Sequence, residues 1–263
     1  DIPVQKFNFT KNSITRTEDI EFCERIIESY IKSQKQLKDN EIRSEEWNRI
    51  HKSHQSSLVE CLDQKDPASL AALFAKFLRT EIVYGIDTGN LYTGKNWKPH
   101  SLKLLSDLAR LSEYLGISRA ESGQGETAHI FSKPLSEILS KLQEKIDKDI
   151  HFPKICGAYG IDINNQLITL QTPEYIYAAV RLKKDLERIY SDTSDKKINL
   201  LEIGAGYGGT IYFIEKIFSE KLNSISIVDL PIVNTMQAYF LGKSIGFERI
   251  SLFGEKENKA HSK

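Results

Sequence analysis

The chain has 263 residues, of which 40% are hydrophobic and 27% are charged, which is enough to bury the core of one large domain or two smaller ones. Lys and Arg together number 36, as do Asp and Glu, so no basic excess favours nucleic acid or an anionic membrane surface as a partner. No apolar run approaches the ~20 residues of a membrane span, and no charged-then-apolar signal opens the sequence. Cys23, Cys61 and Cys156 lack the spacing of a disulfide framework or a zinc site. We therefore expect a cytoplasmic globular protein that uses no nucleic acid, membrane or metal.

The first part of the chain, residues 1–150, has apolar residues at spacings of three and four and is predicted to be mainly helical. Helices are expected around Ile20 to Tyr30, from Ser44 to Leu62, after Asp66-Pro67 as far as Leu78, from Ser101 to Leu115 and from Pro134 to Ile146. The segment from Ser118 to His129 has almost no apolar content and is typical of a mobile loop or linker. Trp47, Phe74 and Phe77 lie on stripes too apolar to remain exposed. We expect this region to pack over the rest of the chain or between subunits.

Beyond residue 150 the pattern changes to a hairpin and then to alternating strands and helices. Asn164-Asn165 separates two short alternating runs and predicts a tight turn, because Asn tolerates positive φ. The elements expected after it are a helix from Thr172 to about Tyr190, the strand "KINLLEIG", a helix from Gly209 to Lys221, the strand "SISIVD", a helix from Pro231 to Ile245 and the strand "RISLF". The first of these strands is almost continuously apolar, as expected when helices cover both of its faces. The predicted fold class is α/β: a β-α-β-α-β half of a Rossmann-like sheet, preceded by a mainly helical region.

The segment "LLEIGAGYGGT" joins the first of these strands to its helix and fits two nucleotide cofactors. Gly204, Gly206 and Gly209 spell G-x-G-x-x-G, the dinucleotide fingerprint, in the strand-to-helix context that the motif requires. Glu202, Gly204, Gly206 and Gly208 equally spell the acidic-x-G-x-G-x-G loop of S-adenosylmethionine enzymes. The alternative is that the glycines only let the strand turn tightly and the helix pack closely, with no ligand.

Two carboxylates accompany the loop. Asp229 follows about 20 residues later, at the end of the second strand, where an acid binds ribose hydroxyls in either cofactor. Glu202 helps to distinguish a dinucleotide from S-adenosylmethionine, because a carboxylate in an apolar strand is costly unless a positive group or a hydrogen-bond donor lies near it. A pyrophosphate would be repelled by Glu202, whereas S-adenosylmethionine offers an ammonium and a sulfonium, and its one carboxylate suits the helix N-terminus. The charges therefore favour S-adenosylmethionine. The alternative is that Glu202 only hydrogen-bonds loop amides and orders the turn.

At this point the residues also carry a resemblance to a known family. "LLEIGAGYGGT" followed by "SISIVDLPIVNTMQAYFLGKSIG" resembles the class I S-adenosylmethionine-dependent methyltransferases, specifically the bacterial sugar O-methyltransferase family, as does "GAYGIDINNQLITLQTPEYIYAAVRL" upstream. The similarity is clearest from about Pro153 to Glu255. The resemblance implies that the methionine part of S-adenosylmethionine is held by Glu202, Gly204, Ala205, Gly206 and Tyr207, and the ribose and adenine edge by Asp229 and Leu230.

The reaction implied by the resemblance is methyl transfer from the sulfonium to a hydroxyl of a sugar or another small molecule. The hydroxyl must be held in line, and a base or metal usually removes its proton. The sequence assigns no catalytic residue, since His51 and His54 lie on one helix without a ligand arrangement and the remaining histidines lie in expected loops. Four residues before the glycine loop are candidates for a sugar pocket, with hairpin or helix packing as the alternative: Tyr159, Asp162, Tyr175 and Arg181.

Only one half of a doubly wound fold is predicted, because about 60 residues follow Gly204. We therefore expect residues 1–150 to form a helical cap or oligomerisation region and residues 151–263 to be the truncated first half of a methyltransferase domain, inactive alone and self-associating through the apolar edge "INLLEI". If the chain were active as given, the base would be among His100, His129, His151, Tyr159 and Asp162. Other functions that remain open are an NAD(P)-dependent oxidoreductase and a non-catalytic nucleotide-binding or assembly module.

Overall fold

The computed structural model describes residues 6–11, 14–36, 44–87, 97–119, 133–190 and 197–255. In these ranges the chain is mixed α/β, with more helix than strand. The helices are α1 (Thr17–Gln36), α2 (Glu45–His54), α3 (Ser56–Asp63), α4 (Pro67–Phe74), α5 (Trp97–Tyr114), α6 (Leu135–Ile146), α7 (Thr172–Ile189), α8 (Gly209–Phe218) and α9 (Pro231–Ile245). The strands are β1 (Asn8–Phe9), β2 (Tyr159–Ile163), β3 (Gln166–Thr169), β4 (Ile198–Ile203) and β5 (Leu222–Val228). None of the described helices is both long and apolar enough to span a bilayer.

The predicted helices of the first part are present, with two corrections. The helix expected from Ser44 to Leu62 is interrupted at Gln55, whose ψ of 13° leaves the helical range and whose side-chain amide donates to the Ile82 carbonyl. The helix after Asp66 begins as predicted, because the Asp66 carboxylate accepts the Ser69 N–H at 3.0 Å. It ends at Phe74 rather than Leu78, and a short 3₁₀ turn follows. The predicted linker from Ser118 to His129 lies, apart from its first two residues, outside the described residues.

The helical part and the rest of the chain share one hydrophobic core. Asp19 of α1 is fully buried and accepts from the Lys243 ammonium of α9 at 2.6 Å and from the Tyr239 hydroxyl at 3.1 Å. Phe74 and Phe77 are completely buried, as predicted, whereas Trp47 is half-buried. The helical part is therefore packed directly against the elements that carry the glycine loop.

The predicted hairpin is confirmed. Strands β2 and β3 pair antiparallel, and Asn164 and Asn165 make the turn with φ of 51° and 65°. No sequence pattern predicted β1, which adds a third strand by pairing Asn8 with Gly160.

Strands β4 and β5 form a separate two-stranded parallel sheet, connected through α8, with α9 after β5. This β-α-β-α unit confirms the first part of the predicted pattern. The third strand, "RISLF", is wrong: residues 250–253 are not paired with any strand among the described residues. The Arg25 guanidinium instead takes the Ile250 carbonyl, which a strand would need for its ladder, and also the Phe247 carbonyl in the short 3₁₀ turn just before it. Among the described residues the parallel sheet therefore consists of these two strands.

One face of the parallel pair is open, which corrects the expectation that helices cover both faces. Leu201 is 58% exposed, Ile203 is 77% exposed and Val228 is 54% exposed. Leu200 and Ile227, on the opposite face, pack against the core. Among the described residues helices cover one side only, so alternate side chains of β4 remain in contact with solvent.

Candidate nucleotide-binding site

The glycine loop, residues 204–208, connects β4 to α8 as the motif requires. The Gly204 N–H donates to the Val228 carbonyl at 2.9 Å and so continues the parallel ladder by one step. The Gly208 N–H donates to the Ala205 carbonyl at 3.0 Å and closes the turn. Gly204, Gly206 and Gly208 have φ of 78°, 57° and 95°, a region that favours glycine. The loop conformation therefore favours glycine at all three alternating positions.

Close packing explains some of these glycines but not the first. A Cβ on Gly209 would lie 2.5 Å from the Tyr175 ring, and one on Gly208 would lie 3.0 Å from Leu241 Cγ. A Cβ on Gly206 would lie 3.1 Å from Ile86 Cγ2. Gly204 has no described atom within 4 Å of its Cβ position. There is consequently room for a ligand to approach the backbone at the carboxyl end of β4.

Asp229 lies directly after β5 and holds the loop in place. Its Oδ2 accepts the Gly206 N–H at 3.1 Å and its Oδ1 accepts the Leu230 N–H at 2.7 Å. Burial raises the pKa of the carboxyl, and these two N–H groups lower it in part. A carboxylate has about four acceptor sites, so Asp229 retains capacity for ribose hydroxyls beside these bonds.

Glu202 projects from β4 towards the half-buried face, next to the loop. Its Oε2 is buried and has no hydrogen-bond partner among the described residues. Burial raises the pKa of Glu202, and the neighbouring charge of Asp229 raises it further. In the described part of the chain, neither carboxylate forms an ion pair, and no loop amide donates to Glu202. Glu202 therefore makes none of the hydrogen bonds to loop amides that would order the turn, and a nearby cation or hydrogen-bond donor would stabilise its carboxylate.

The other predicted cofactor residues contribute less directly. The Tyr207 side chain is buried in an aromatic cluster, 5.0 Å from the Phe240 ring, and its hydroxyl accepts from the Tyr175 hydroxyl at 3.0 Å. Burial raises the pKa of Tyr207 strongly. Tyr207 therefore offers a ligand only its backbone. Ala205 and Leu230 are half-buried and pack against the core.

Of the predicted sugar-pocket residues, Tyr175 is the one that the described contacts bring to the glycine loop. Tyr159 is buried on β2 beside the rings of Phe7 and Phe9, with centroids at 5.1 and 4.7 Å. Asp162 is exposed and pairs with Lys154, and Arg181 is exposed on α7, 3.9 Å from Asp185. Their assignment to a sugar pocket stays a prediction.

The histidines leave the base unassigned. His151 contacts the Asp149 carboxylate through Nδ1, and its carbonyl accepts from the Tyr212 hydroxyl at 3.3 Å, in the first turn of α8, and from Lys216 Nζ at 3.1 Å, one turn further on. His100 lies in the first turn of α5, and His129 is outside the described residues.

A short turn from the helical part lies against the loop, and no sequence pattern predicted this contact. Ile86 covers Gly206, as described above, and the Ile86 and Asp87 N–H groups both donate to the Val83 carbonyl at 2.8 Å. Asp87 Oδ1 accepts from the side-chain amide of Gln171, just before α7, at 2.5 Å. The charge of Asp87 contributes to the raised pKa of Tyr175. Within the sequence, Asp87 stands out only as an acid in the turn-rich stretch "YGIDTGN".

A separate cleft of about 220 Å³ lies between the end of α5 and α6, lined by Ser112, Ile117, Ser118, Arg119, Lys133, Ile138 and Lys141. Its two lysines pair with Glu137 at 3.4 and 3.1 Å. It shares no residue with the glycine loop.

No protein-family model, curated protein or solved structure matches this chain. The site is therefore interpreted from its own geometry. Two half-buried carboxylates stand at the carboxyl ends of two parallel strands, beside a glycine loop with open space and the N-terminus of α8. This arrangement suits a ligand that combines a ribose, a positive group and one small anionic group.

Proposed function

We propose that the glycine loop binds S-adenosylmethionine and that the chain is part of an S-adenosylmethionine-dependent O-methyltransferase acting on a sugar hydroxyl. The observation that carries the cofactor assignment is Glu202, a carboxylate with a buried, unpartnered oxygen beside the one loop glycine that has open space. The resemblance to the sugar O-methyltransferases supports the acceptor class.

The alternative cofactor, NAD(P), fits these charges less well. Its pyrophosphate would lie at the N-terminus of α8, close to both Glu202 and Asp229. Burial already raises the pKa of both carboxyls, and the charge of Asp229 raises that of Glu202 further. Two more negative charges would increase that penalty. The methionine part of S-adenosylmethionine instead places an ammonium where Glu202 lacks a partner and a carboxylate where the helix offers N–H groups.

The roles of the chain's own residues follow from their positions. Glu202 would accept from the ammonium, the loop N–H groups would donate to the carboxylate, and Asp229 would accept from the ribose hydroxyls. When bound, S-adenosylmethionine supplies a methyl group on a positively charged sulfur. Transfer of this methyl group would form an O–CH₃ bond at the acceptor hydroxyl and break the S–CH₃ bond, whose electron pair would remain on sulfur, and the hydroxyl proton would pass to a base or to water.

A non-catalytic nucleotide-binding or assembly module is the second candidate, and one observation favours it. Asp229 already accepts two backbone N–H bonds, which is what a purely structural clamp between the loop and α9 would do. Close packing against Leu241 and Tyr175 also explains Gly208 and Gly209 without a ligand.

Calorimetric titration with S-adenosylmethionine, S-adenosylhomocysteine and NAD separates these functions. We expect both sulfur ligands to bind and NAD to bind more weakly. Tighter binding of NAD would replace the methyl donor by a dinucleotide, and binding of none of the three would leave the loop as a structural turn.

A further inference from the structure

Gly206, at the centre of the glycine loop, is held through both of its polar backbone groups. Its N–H donates to Asp229 Oδ2 at 3.1 Å, and its carbonyl accepts from the side-chain amide of Gln237 at 3.0 Å. Gln237 lies on the second turn of α9 and is only 4% exposed. The middle of the loop is therefore fixed from two sides, by the end of β5 and by α9.

The bond from Gln237 sets the direction of the next N–H group. No peptide bond of the described residues is cis, and in a trans peptide the C=O and the N–H point in opposite directions. Because the Gly206 carbonyl points at Gln237, the Tyr207 N–H of the same peptide points away from α9. In the preceding peptide, the Ala205 carbonyl accepts the Gly208 N–H, and the Gly206 N–H is already used. Of these two peptides, only the Tyr207 N–H has no acceptor among the described residues.

We propose that Gln237 is a positioning residue, which keeps the Tyr207 N–H available to donate to the carboxylate of S-adenosylmethionine. The inference rests on the proposed function. A glycine tolerates both signs of φ, so the peptide after Gly206 can rotate unless a partner holds its carbonyl. Held as it is, the Tyr207 N–H precedes the first N–H groups of α8, which also lack acceptors within their helix and attract an anion. Gln237 itself acts only through Gly206.

Gln237→Met tests this role, because Met keeps a similar volume but donates no hydrogen bond. The buried Gly206 carbonyl then loses its donor, and the peptide is free to turn towards another one. The ligand carboxylate loses a charge-assisted hydrogen bond, whereas the groups that bind the ribose and the ammonium are unchanged. The loss of affinity should therefore depend on whether the ligand carries a carboxylate.

The measurement is calorimetric titration with S-adenosylmethionine and with decarboxylated S-adenosylmethionine, which lacks only the carboxylate. We expect Gln237→Met to bind S-adenosylmethionine about tenfold more weakly and the decarboxylated ligand less than about twofold more weakly. Equal losses for the two ligands, or no loss for either, would show that Gln237 only packs against the loop.

Gln55→Met is a matched control from the helical part. Gln55 is also fully buried, and its amide donates to the Ile82 carbonyl at the same distance of 3.0 Å. This variant should lower the melting temperature by an amount similar to Gln237→Met and leave the ratio of the two affinities unchanged. The same change of ratio in both variants would overturn the specific role of Gln237.

Amide exchange of the unaltered protein, followed by NMR, tests the inference if Gln237→Met does not fold. Exchange at the Tyr207 N–H should be slowed strongly by S-adenosylmethionine and much less by the decarboxylated ligand. Equal slowing by both ligands would overturn the inference while leaving the cofactor site in place. Failure of the unaltered protein to bind either ligand would refute the proposed function, and the role of Gln237 with it.

Discussion

Replacing Glu202 by Gln should make the free protein more stable and its ligand binding weaker. The carboxylate is half-buried, its Oε2 has no partner among the described residues, and burial and Asp229 raise its pKa. A group whose pKa is raised by folding contributes most to stability when it is protonated, and that contribution is lost as the pH rises through the raised pKa. At neutral pH the ionised form therefore destabilises the fold, and a neutral isostere removes this penalty.

The expected gain in the free energy of unfolding is modest, because the Glu202 side chain is only half-buried. Solvent screening limits the gain to about 1 kcal/mol at most, which corresponds to about 2–4 °C in melting temperature for a chain of this size. Losing a charge-assisted hydrogen bond to the ligand ammonium should meanwhile cost ~1.5–3 kcal/mol, or roughly ten- to a hundredfold in affinity for S-adenosylmethionine.

Thermal melting at several pH values, with calorimetric titration, measures both effects. The difference in melting temperature between Glu202→Gln and the unaltered protein should be present at pH 7.5 and shrink towards pH 4, where Glu202 is protonated in both states. Glu174→Gln, an exposed carboxylate in a surface ion pair, should show no gain. A less stable Glu202→Gln variant with unchanged affinity would show that Glu202 orders the turn and does not contact the ligand.

Three further predictions follow from the structure. Asp229→Ala should lower the melting temperature, because it leaves the Gly206 and Leu230 N–H groups without an acceptor, which costs about 1–3 kcal/mol of stability. It should also lower the affinity for S-adenosylhomocysteine by roughly ten- to a hundredfold. A lower melting temperature with unchanged affinity would show that Asp229 only clamps the loop. Asp19→Asn should reduce the free energy of unfolding in urea by about 3–5 kcal/mol because the Lys243 ammonium is left buried without its counter-charge, and a loss below about 1 kcal/mol would contradict the role of this pair. Ile203→Asp should abolish self-association in sedimentation experiments with little change in stability, since the side chain is 77% exposed, and an unaltered protein that stays monomeric at high concentration would refute association through the open face.

Local signals predicted the elements around the site well. Asn164-Asn165 specified the hairpin through positive φ, Asp66 specified the start of α4 through its cap, and the glycine pattern predicted the strand-to-helix loop. Each of these depends on residues that are neighbours along the chain.

The errors arose where distant residues decide the outcome. Arg25, more than 200 residues away, takes the Ile250 carbonyl that "RISLF" would use as a strand. The run "INLLEI" predicted cover on both faces, but apolar composition does not show which neighbours are present to provide it. The turn at Ile86–Asp87 lies against the glycine loop through the contact of Ile86 with Gly206, and no spacing pattern reveals such a contact.

The central claim is that a nucleoside ligand binds at the carboxyl ends of β4 and β5. Amide hydrogen exchange with saturating S-adenosylhomocysteine tests its place most directly. We expect slower exchange at the backbone N–H groups of residues 204–209 and at Leu230, where the loop and the end of β5 meet. Protection confined to the cleft between α5 and α6, or no protection at the loop, would contradict the assignment.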